Sequence, residues 1–138
     1  MKALDTPVLL ALLEGDPKVR AHLKRWRGEE LATTETNLLE LAVIAGQDAI
    51  RSRGSRGSSL GRLRRRLTVL PLDARGGEEI QRRVQRGGPL PPATVLAMLA
   101  ALETSGCEEL LTDDPGQIPG KWRFRVTRIG RDTTKKGK

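Results

Sequence analysis

The chain of 138 residues contains a single cysteine, Cys107, and this scarcity excludes two kinds of small protein. One cysteine cannot form an intramolecular disulfide, and it cannot supply the paired thiolates of a structural zinc site. A secreted disulfide scaffold and a zinc ribbon are therefore both excluded. A chain that does without disulfides fits a reducing compartment, and we expect a cytoplasmic protein.

Aromatic residues are almost as rare, since the chain has two tryptophans, one phenylalanine and no tyrosine. Proteins that bind single-stranded nucleic acid by base stacking use several aromatic side chains along a groove. Trp26, Trp122 and Phe124 are too few for such a platform. Recognition of bases by stacking is therefore not expected.

Long apolar segments are missing as well. The apolar stretch at residues 7–13 is too short to cross a bilayer, which needs about 20 residues in a helix. It follows an aspartate, and no small-residue cleavage site comes after it, so the pattern does not fit a signal peptide. We expect a protein without a membrane segment.

Acidic residues are in the minority, with 17 against 25 lysines and arginines, which gives a net charge of +8. Arginine is suited to phosphate because its planar guanidinium donates two parallel hydrogen bonds. The segment from residue 51 to 66 carries arginines and no acid, and residues 121–138 carry eight basic residues against Asp132. We predict RNA binding by the seven arginines of the first segment, with a merely solvated charged surface as the alternative. They are Arg51, Arg53, Arg56, Arg62, Arg64, Arg65 and Arg66.

Strand-like and helix-like segments alternate along the chain. Strands are predicted at residues 2–4, 30–34, 68–72, 109–112 and 122–129, and helices at 7–13, 17–26, 36–51, 60–67, 73–87 and 93–104, with a loop at 52–59. This alternation is typical of parallel crossovers, so we predict an α/β fold, a three-layer α/β/α sandwich with a central, mostly parallel sheet. Residues 1–129 are predicted to form this domain, and residues 130–138 a basic, disordered tail.

Three acidic residues are predicted to face one crevice. Asp5 ends the first strand and Asp114 follows the fourth, and parallel strands present their carboxyl ends at one edge of the sheet. Glu40 lies early in the helix after the second strand and interrupts an apolar run, so it is expected to be a buried carboxylate that needs a cation or a partner. Carboxylate oxygens are the ligands that magnesium and manganese prefer. The alternative is that these acids are helix caps and turn formers.

Five short motifs occur in a recognisable order. They are Leu4–Thr6 with Val8–Leu13, Thr36–Leu41, Val69–Asp73, the helix after Leu90–Pro91, and Leu110–Asp114 followed by Ile118–Gly120. In this order and spacing, from about residue 2 to 128, the chain resembles PIN-domain toxins of the VapC type. The resemblance implies an endoribonuclease that acts on single-stranded or structured RNA, needs Mg²⁺ or Mn²⁺, is commonly a homodimer, and is inhibited by a cognate antitoxin protein.

The resemblance also implies site residues, with one departure. The catalytic and metal-binding acids of the family match Asp5, Glu40 and Asp114. The family's remaining acid, at the start of the apolar helix, is replaced by Thr94, and Gly116 stands where a further aspartate often follows. Thr94 is interpreted first as a helix cap and second as a substitute that holds a metal-bound water.

Three functions follow in order of preference. The first is the metal-dependent ribonuclease of a type II toxin-antitoxin pair. The alternative is a catalytically weakened or inactive PIN module that binds RNA or a protein partner. The third is a plain nucleic-acid-binding protein whose acids are only caps and turns.

Overall fold

The computed structural model describes the backbone of residues 1–52 and 56–129, and the side chains of these residues except 48–60. The predicted tail at 130–138 and Arg53 lie outside the described residues. The strands are β1 (Lys2–Leu4), β2 (Leu31–Thr34), β3 (Thr68–Leu70), β4 (Glu109–Thr112) and β5 (Arg125–Arg128). The helices are α1 (Thr6–Leu13), α2 (Pro17–Lys24), α3 (Glu35–Ser52), α4 (Arg56–Arg66), α5 (Ala74–Arg86) and α6 (Ala93–Thr104), with a 3-10 turn at Pro115–Gln117.

The strands form one sheet in the order β3-β2-β1-β4-β5, and every pair of neighbours within the described chain is parallel. Lys2 is in register with Leu31 on one side and with Glu109 on the other. All carboxyl ends therefore meet at one edge of the sheet, which we call the carboxyl edge, and the opposite edge is the amino edge. The prediction of a parallel α/β sheet is confirmed.

Two apolar cores lie on the two faces of this sheet, because successive strand residues point to opposite faces. Leu4 and Leu111 point into the first core, where α1, α2 and α4 pack. Ala3 and Leu110 point into the second core, which is covered mainly by α6 through Met98, Leu99 and Leu102. Helix α5 packs against α6. The three layers of the predicted sandwich are thus present.

The start of α4 differs most from the sequence predictions. Helix α4 begins at Arg56, not at Leu60, so much of the predicted loop at 52–59 is helical. The loop was predicted because glycine and serine have low helix propensity. The segment is helical nevertheless, because Leu63 and Leu67 anchor it to the first core. The starts of α1, α3 and α5 lie one residue from the predicted ones, and Asn37 lies inside α3.

No helix in the described part of the chain is long and apolar enough to cross a bilayer.

Candidate active site

Asp5 is the first residue after β1 and stands at the carboxyl edge between β2 and β4. Its backbone N–H donates to the carbonyl of Leu111 at 3.0 Å, which fixes the turn against the neighbouring strand. It is also the N-cap of α1, where its Oδ1 accepts from the backbone N–H of Thr6 at 2.7 Å. Asp5 therefore is a helix cap, as the alternative interpretation proposed, but its second oxygen has another partner.

That partner is Thr112, the last residue of β4. Its buried hydroxyl donates to Asp5 Oδ2 at 2.8 Å and accepts from the backbone N–H of Asp114 at 3.3 Å. One hydroxyl thus joins the first predicted acid to the turn that carries the third. The side chain of Asp114 is exposed beyond this turn.

On the other side, Thr6 joins Asp5 to Glu40. The hydroxyl of Thr6 donates to Glu40 Oε1 at 2.8 Å. Glu40 lies on α3, and it is exposed, so the prediction that it is buried in an apolar run is wrong. The reason is that α3 turns Leu39 and Glu40 to solvent, whereas Leu41 and, one turn later, Ala45 are buried. The carboxylate of Glu40 is therefore exposed to solvent and accepts a hydrogen bond from the hydroxyl of Thr6.

Asn37 is the buried centre of this polar cluster. Its amide nitrogen donates to Thr6 Oγ1 at 3.0 Å, to Asp5 Oδ1 at 3.3 Å and to the sulfur of Met98 at 3.2 Å. Its amide oxygen accepts from the hydroxyl of Thr34 at 2.7 Å. Asn37 thereby fixes α1, α3 and α6 around the carboxylate of Asp5.

The pKa of Asp5 is raised above its ordinary value. Burial is the main cause, because it penalises the charged carboxylate. Hydrogen bonds from Thr112 and Thr6 oppose the shift, and the negative charges of Asp113 and Glu40 add to it. A cation beside these carboxylates would stabilise their charged forms and so offset the cost of burial and of mutual repulsion.

Thr94 is the second residue of α6 and is exposed. The N-cap is Pro92, which offers no side-chain acceptor, so the interpretation of Thr94 as the helix cap is wrong. Residues four apart lie on one helix face, and Thr94 is therefore one turn before Met98, which contacts Asn37. This places Thr94 on the helix face that leads to the acidic cluster.

Among the residues that the structure describes, no three acidic, histidine or cysteine side chains are close enough together to hold a metal ion. The donor chemistry nevertheless fits magnesium, which is usually held by one or two carboxylates together with waters and substrate phosphates. Asp5, with a half-buried carboxylate, and Glu40, linked to it through Thr6, are the residues that would hold such an ion. The joint use of Asp5, Glu40 and Asp114 stays a prediction.

The predicted RNA-binding arginines lie mainly away from this crevice. Arg64, Arg65 and Arg66 are exposed at the end of α4, directly before β3 and hence towards the amino edge. The side chains of Arg51 and Arg56 lie outside the described residues, as does Arg53. Arg62 and Arg66 border an apolar groove, described next.

This groove lies between α1, α2 and α4 and has a volume of about 660 Å³. Its floor is apolar, and its rim carries five basic residues and one acid, Glu29. The apolar residues are Leu12, Leu13, Leu23, Trp26, Leu31, Leu63 and Leu67. The basic residues are Arg20, Lys24, Arg27, Arg62 and Arg66.

Sequence reasoning missed the polar residues that connect the acids. Thr6, Asn37 and Thr112 have no distinctive spacing, and only the strand order brings them together. Asp113 is not among the three predicted acids, yet its negative charge contributes to the raised pKa of Asp5. Arg128 was counted only as a basic residue, yet its Nε donates to the carbonyl of Asp113 at 3.4 Å, beside the crevice.

Comparison with known proteins identifies the family and the fold. The family model of the PIN domain matches residues 2–118. No curated protein matches the chain by sequence.

Solved structures share the fold at low identity. The crystal structure of VapBC2 from Rickettsia felis bound to a promoter DNA fragment is 14% identical, with a TM-score of 0.74 over 94% of this chain and 98% of that one. DNA-bound VapBC from Salmonella typhimurium is 16% identical, with a TM-score of 0.72 over 92% and 96%. VapC20 from Mycobacterium tuberculosis, a toxin that cleaves the Sarcin-Ricin loop, is 15% identical, with a TM-score of 0.57 over 99% and 95%. With a family match over most of its length and the same fold throughout, the chain belongs to the PIN domain family.

Proposed function

We propose that the chain is a metal-dependent endoribonuclease that cleaves single-stranded or structured RNA and is the cytoplasmic toxin of a type II toxin-antitoxin pair. The observation that supports it most is the hydrogen-bonded cluster that joins Asp5 to Glu40 through Thr6 and to the turn of Asp114 through Thr112. This cluster stands at the carboxyl edge of a parallel sheet, where such folds bind their ligands.

The residues of the cluster prepare carboxylate oxygens for a cation. The hydroxyl protons of Thr112 and Thr6 point to Asp5 Oδ2 and Glu40 Oε1, and each of these oxygens can accept a second interaction. Bound Mg²⁺ or Mn²⁺ would supply positive charge for the phosphodiester and an acidified water. Asn37 keeps the geometry of Asp5 fixed, since from α3 it contacts Thr6 of α1 and Met98 of α6 as well as Asp5 itself.

A second candidate is an inactive PIN module that binds RNA or a protein. It is favoured by Thr94, which stands where the family has an acid, and by the lack of a three-carboxylate group in the described chain. Fewer carboxylates offset less of the charge of a divalent ion, so a second ion is harder to retain.

The antitoxin is the partner we propose for the apolar groove between α1, α2 and α4. An amphipathic helix with acidic residues beside its apolar face would match the apolar floor and basic rim. The structures of VapBC complexes that share this fold were solved with both proteins present. A homodimer is proposed as well.

Cleavage of single-stranded RNA by the purified chain, with Mn²⁺ or Mg²⁺ and with a chelator, tests the nuclease. We expect Asp5→Asn to lower the metal-dependent rate by about 100-fold or more, equivalent to about 2.7 kcal/mol of transition-state stabilisation. Asparagine keeps the cap of α1, so the fold is retained.

Asp73→Asn is the matched control. Asp73 caps α5 through Gly76 at 3.0 Å, and asparagine caps equally well, so the rate should equal that of wild type. Equal cleavage by wild type and Asp5→Asn would point to a contaminating nuclease and reject the proposal. RNA binding without cleavage under any metal condition would establish the second candidate instead.

A further inference from the structure

A second cavity, on the opposite side of the sheet from the apolar groove, is strongly basic. It lies between α5, the end of α6 and the segment before β5, with a volume of about 660 Å³. Six cationic and three acidic side chains line it, a surplus of three positive charges. The cations are Arg75, Arg82, Arg83, Arg86, Lys121 and Arg123. None of them belongs to the acidic cluster.

Arg83 forms the fixed floor of this cavity. Its guanidinium bonds Glu79 at 2.7 Å and the carbonyl of Lys121 at 2.9 Å, and it lies 3.6 Å from Glu103. The same guanidinium covers the ring of Trp122, 3.4 Å from its centroid. Burial opposes ionisation of Glu79, but the hydrogen bonds from Arg83 and Arg82 outweigh it and lower the pKa of this carboxyl. Two of the three acids are thus committed to Arg83.

The other cations are exposed around this floor. Arg82 and Arg86 follow Arg75 by seven and eleven residues along α5. The three side chains therefore lie within about 40° of one another around the helix axis and over a length of about 16 Å. Arg75 is in the first turn of α5, shortly after the carboxyl end of β3. Arg83, in the last turns, contacts Lys121, which precedes β5 at the amino edge. The row therefore runs from the carboxyl edge towards the amino edge.

The chemistry of this row suits phosphates better than a protein surface. Protein interfaces depend on apolar and aromatic anchors in their centre. The only aromatic ring that lines the cavity is Trp122, and one of its faces is occupied by Arg83. Because Arg83 already stacks on Trp122, little of the ring is left to stack on a base. The remaining interaction is between positive charges and phosphates, which carries no sequence preference.

From this geometry we infer that the arginine row of α5, together with Lys121 and Arg123, is an auxiliary site that binds the phosphate backbone of RNA outside the catalytic crevice. This inference rests on the proposed function in taking RNA as the polyanion. It differs from the predicted site at Arg62, Arg64, Arg65 and Arg66, because α4 packs on the other face of the sheet through Leu63.

The experiment measures binding of a uniform single-stranded RNA to the full chain by fluorescence anisotropy, in chelator and over a series of salt concentrations. The test variant is Arg86→Ala/Arg123→Ala, because neither residue bonds Glu79. The guanidinium of Arg123 lies 3.7 Å from Glu103, but the backbone N–H of residue 123, which donates to Glu103 at 2.8 Å, is kept in the variant. The loss of two phosphate contacts should make the slope of log K against log salt shallower by roughly 1.4. Lys18→Ala/Arg25→Ala removes the same charge from exposed positions on α2 and just after it, and its slope should remain that of wild type.

Cleavage separates this inference from the proposed function. Four strand residues at about 3.3 Å each put the two sheet edges about 13 Å apart or more. We therefore expect the test variant to cleave a very short RNA like wild type, but to need more of a long RNA for half-maximal rate. A loss of binding without any cleavage by wild type would reject the nuclease and retain the auxiliary site.

Equal slopes for the test variant, the control and wild type would overturn the auxiliary site, whatever the cleavage assay gives. So would a wild type that does not bind RNA at low salt. Polyglutamate serves as the competing probe. If the test variant loses polyglutamate binding and keeps RNA binding, the row is a docking surface for an acidic protein.

Discussion

At the scale of single residues, the crevice depends on hydroxyls and one amide as much as on acids. A carboxylate that is partly desolvated and close to other carboxylates is costly, which the raised pKa of Asp5 reflects. Thr6, Thr112 and Asn37 offset part of that cost, because each donates a hydrogen bond to the cluster. A bound cation would offset the rest.

The predicted replacement of a family acid by Thr94 gives the sharpest test at this scale. Thr94→Asp places a carboxylate in the first turn of α6, where the helix dipole favours negative charge by about 0.3–1 kcal/mol, so the fold should tolerate it without metal. We expect about tenfold faster Mn²⁺-dependent RNA cleavage, a gain of about 1.4 kcal/mol, since the added acid strengthens binding of the ion. Rates are compared over a manganese titration.

Ala93→Asp is the control for this substitution. It adds the same charge to the same turn about 100° around the helix axis, away from the face of Met98. It should leave the rate near that of wild type. If wild type cleaves and Thr94→Asp gives no gain over Ala93→Asp, Thr94 already acts in place of the acid, and a missing carboxylate does not limit this protein.

At the scale of elements, helix α4 has two basic faces with different surroundings. Arg62 and Arg66 are four residues apart and border the apolar groove, whereas Arg64 and Arg65 are exposed and do not line it. We expect Arg62→Ala/Arg66→Ala to weaken binding of a synthetic amphipathic helix that carries leucines on one face and glutamates beside them. Arg64→Ala/Arg65→Ala should instead make the salt slope of RNA binding shallower by roughly 1.4.

Each of these variants is the control for the other, since both remove two positive charges from one helix. The two measurements are peptide affinity and the salt dependence of RNA affinity on the same preparations. If both variants change both quantities equally, α4 contributes only general charge. The assignment of Arg62, Arg64, Arg65 and Arg66 to RNA alone would be supported if all four affected RNA binding and none affected the peptide.

The order of elements was predictable from sequence, whereas their contacts were not. Alternating apolar periods placed β1, α6 and β4 with the bounds that the structure has. The start of α4 was missed, because anchoring of Leu63 and Leu67 in the core outweighs the weak propensity of glycine and serine. Likewise, Thr112 contacts Asp5 because β4 pairs with β1, and the order of strands in the sheet cannot be predicted from either segment alone.

At the scale of the whole molecule, charge and apolar surface are segregated by face. The acidic cluster stands at the carboxyl edge, the arginine row of α5 on one side of the sheet, and the basic-rimmed groove on the other. A polyanion is thus attracted to the molecule from several sides, while the acids repel it until a cation is present. The predicted dependence of RNA cleavage on metal therefore follows from this arrangement of charge as well as from the chemistry of phosphodiester hydrolysis.

An exposed apolar pair on α3 supports the predicted homodimer. Leu39 and Val43 are 67% and 53% exposed, and their spacing of four puts them on one helix face next to Glu40. Full burial of one such side chain contributes about 1.5–3 kcal/mol, and a two-fold interface uses each residue twice. We therefore expect wild type to have twice the 15.1 kDa mass of one chain by light scattering, and Leu39→Ser/Val43→Ser to have the mass of one chain.

The control for this test uses other exposed apolar residues. Val84 on α5 and Leu90 before α6 are 53% and 42% exposed, and Val84→Ser/Leu90→Ser removes comparable apolar surface elsewhere. This variant should keep the mass of wild type. A wild type with the mass of one chain at high protein concentration would contradict the homodimer, and loss of the dimer in the control variant alone would move the interface from α3 to α5. If wild type has the mass of one chain, the carboxylate of Glu40, which adjoins the α3 face, would be open to solvent from that side. RNA would then reach the crevice without a second chain beside it.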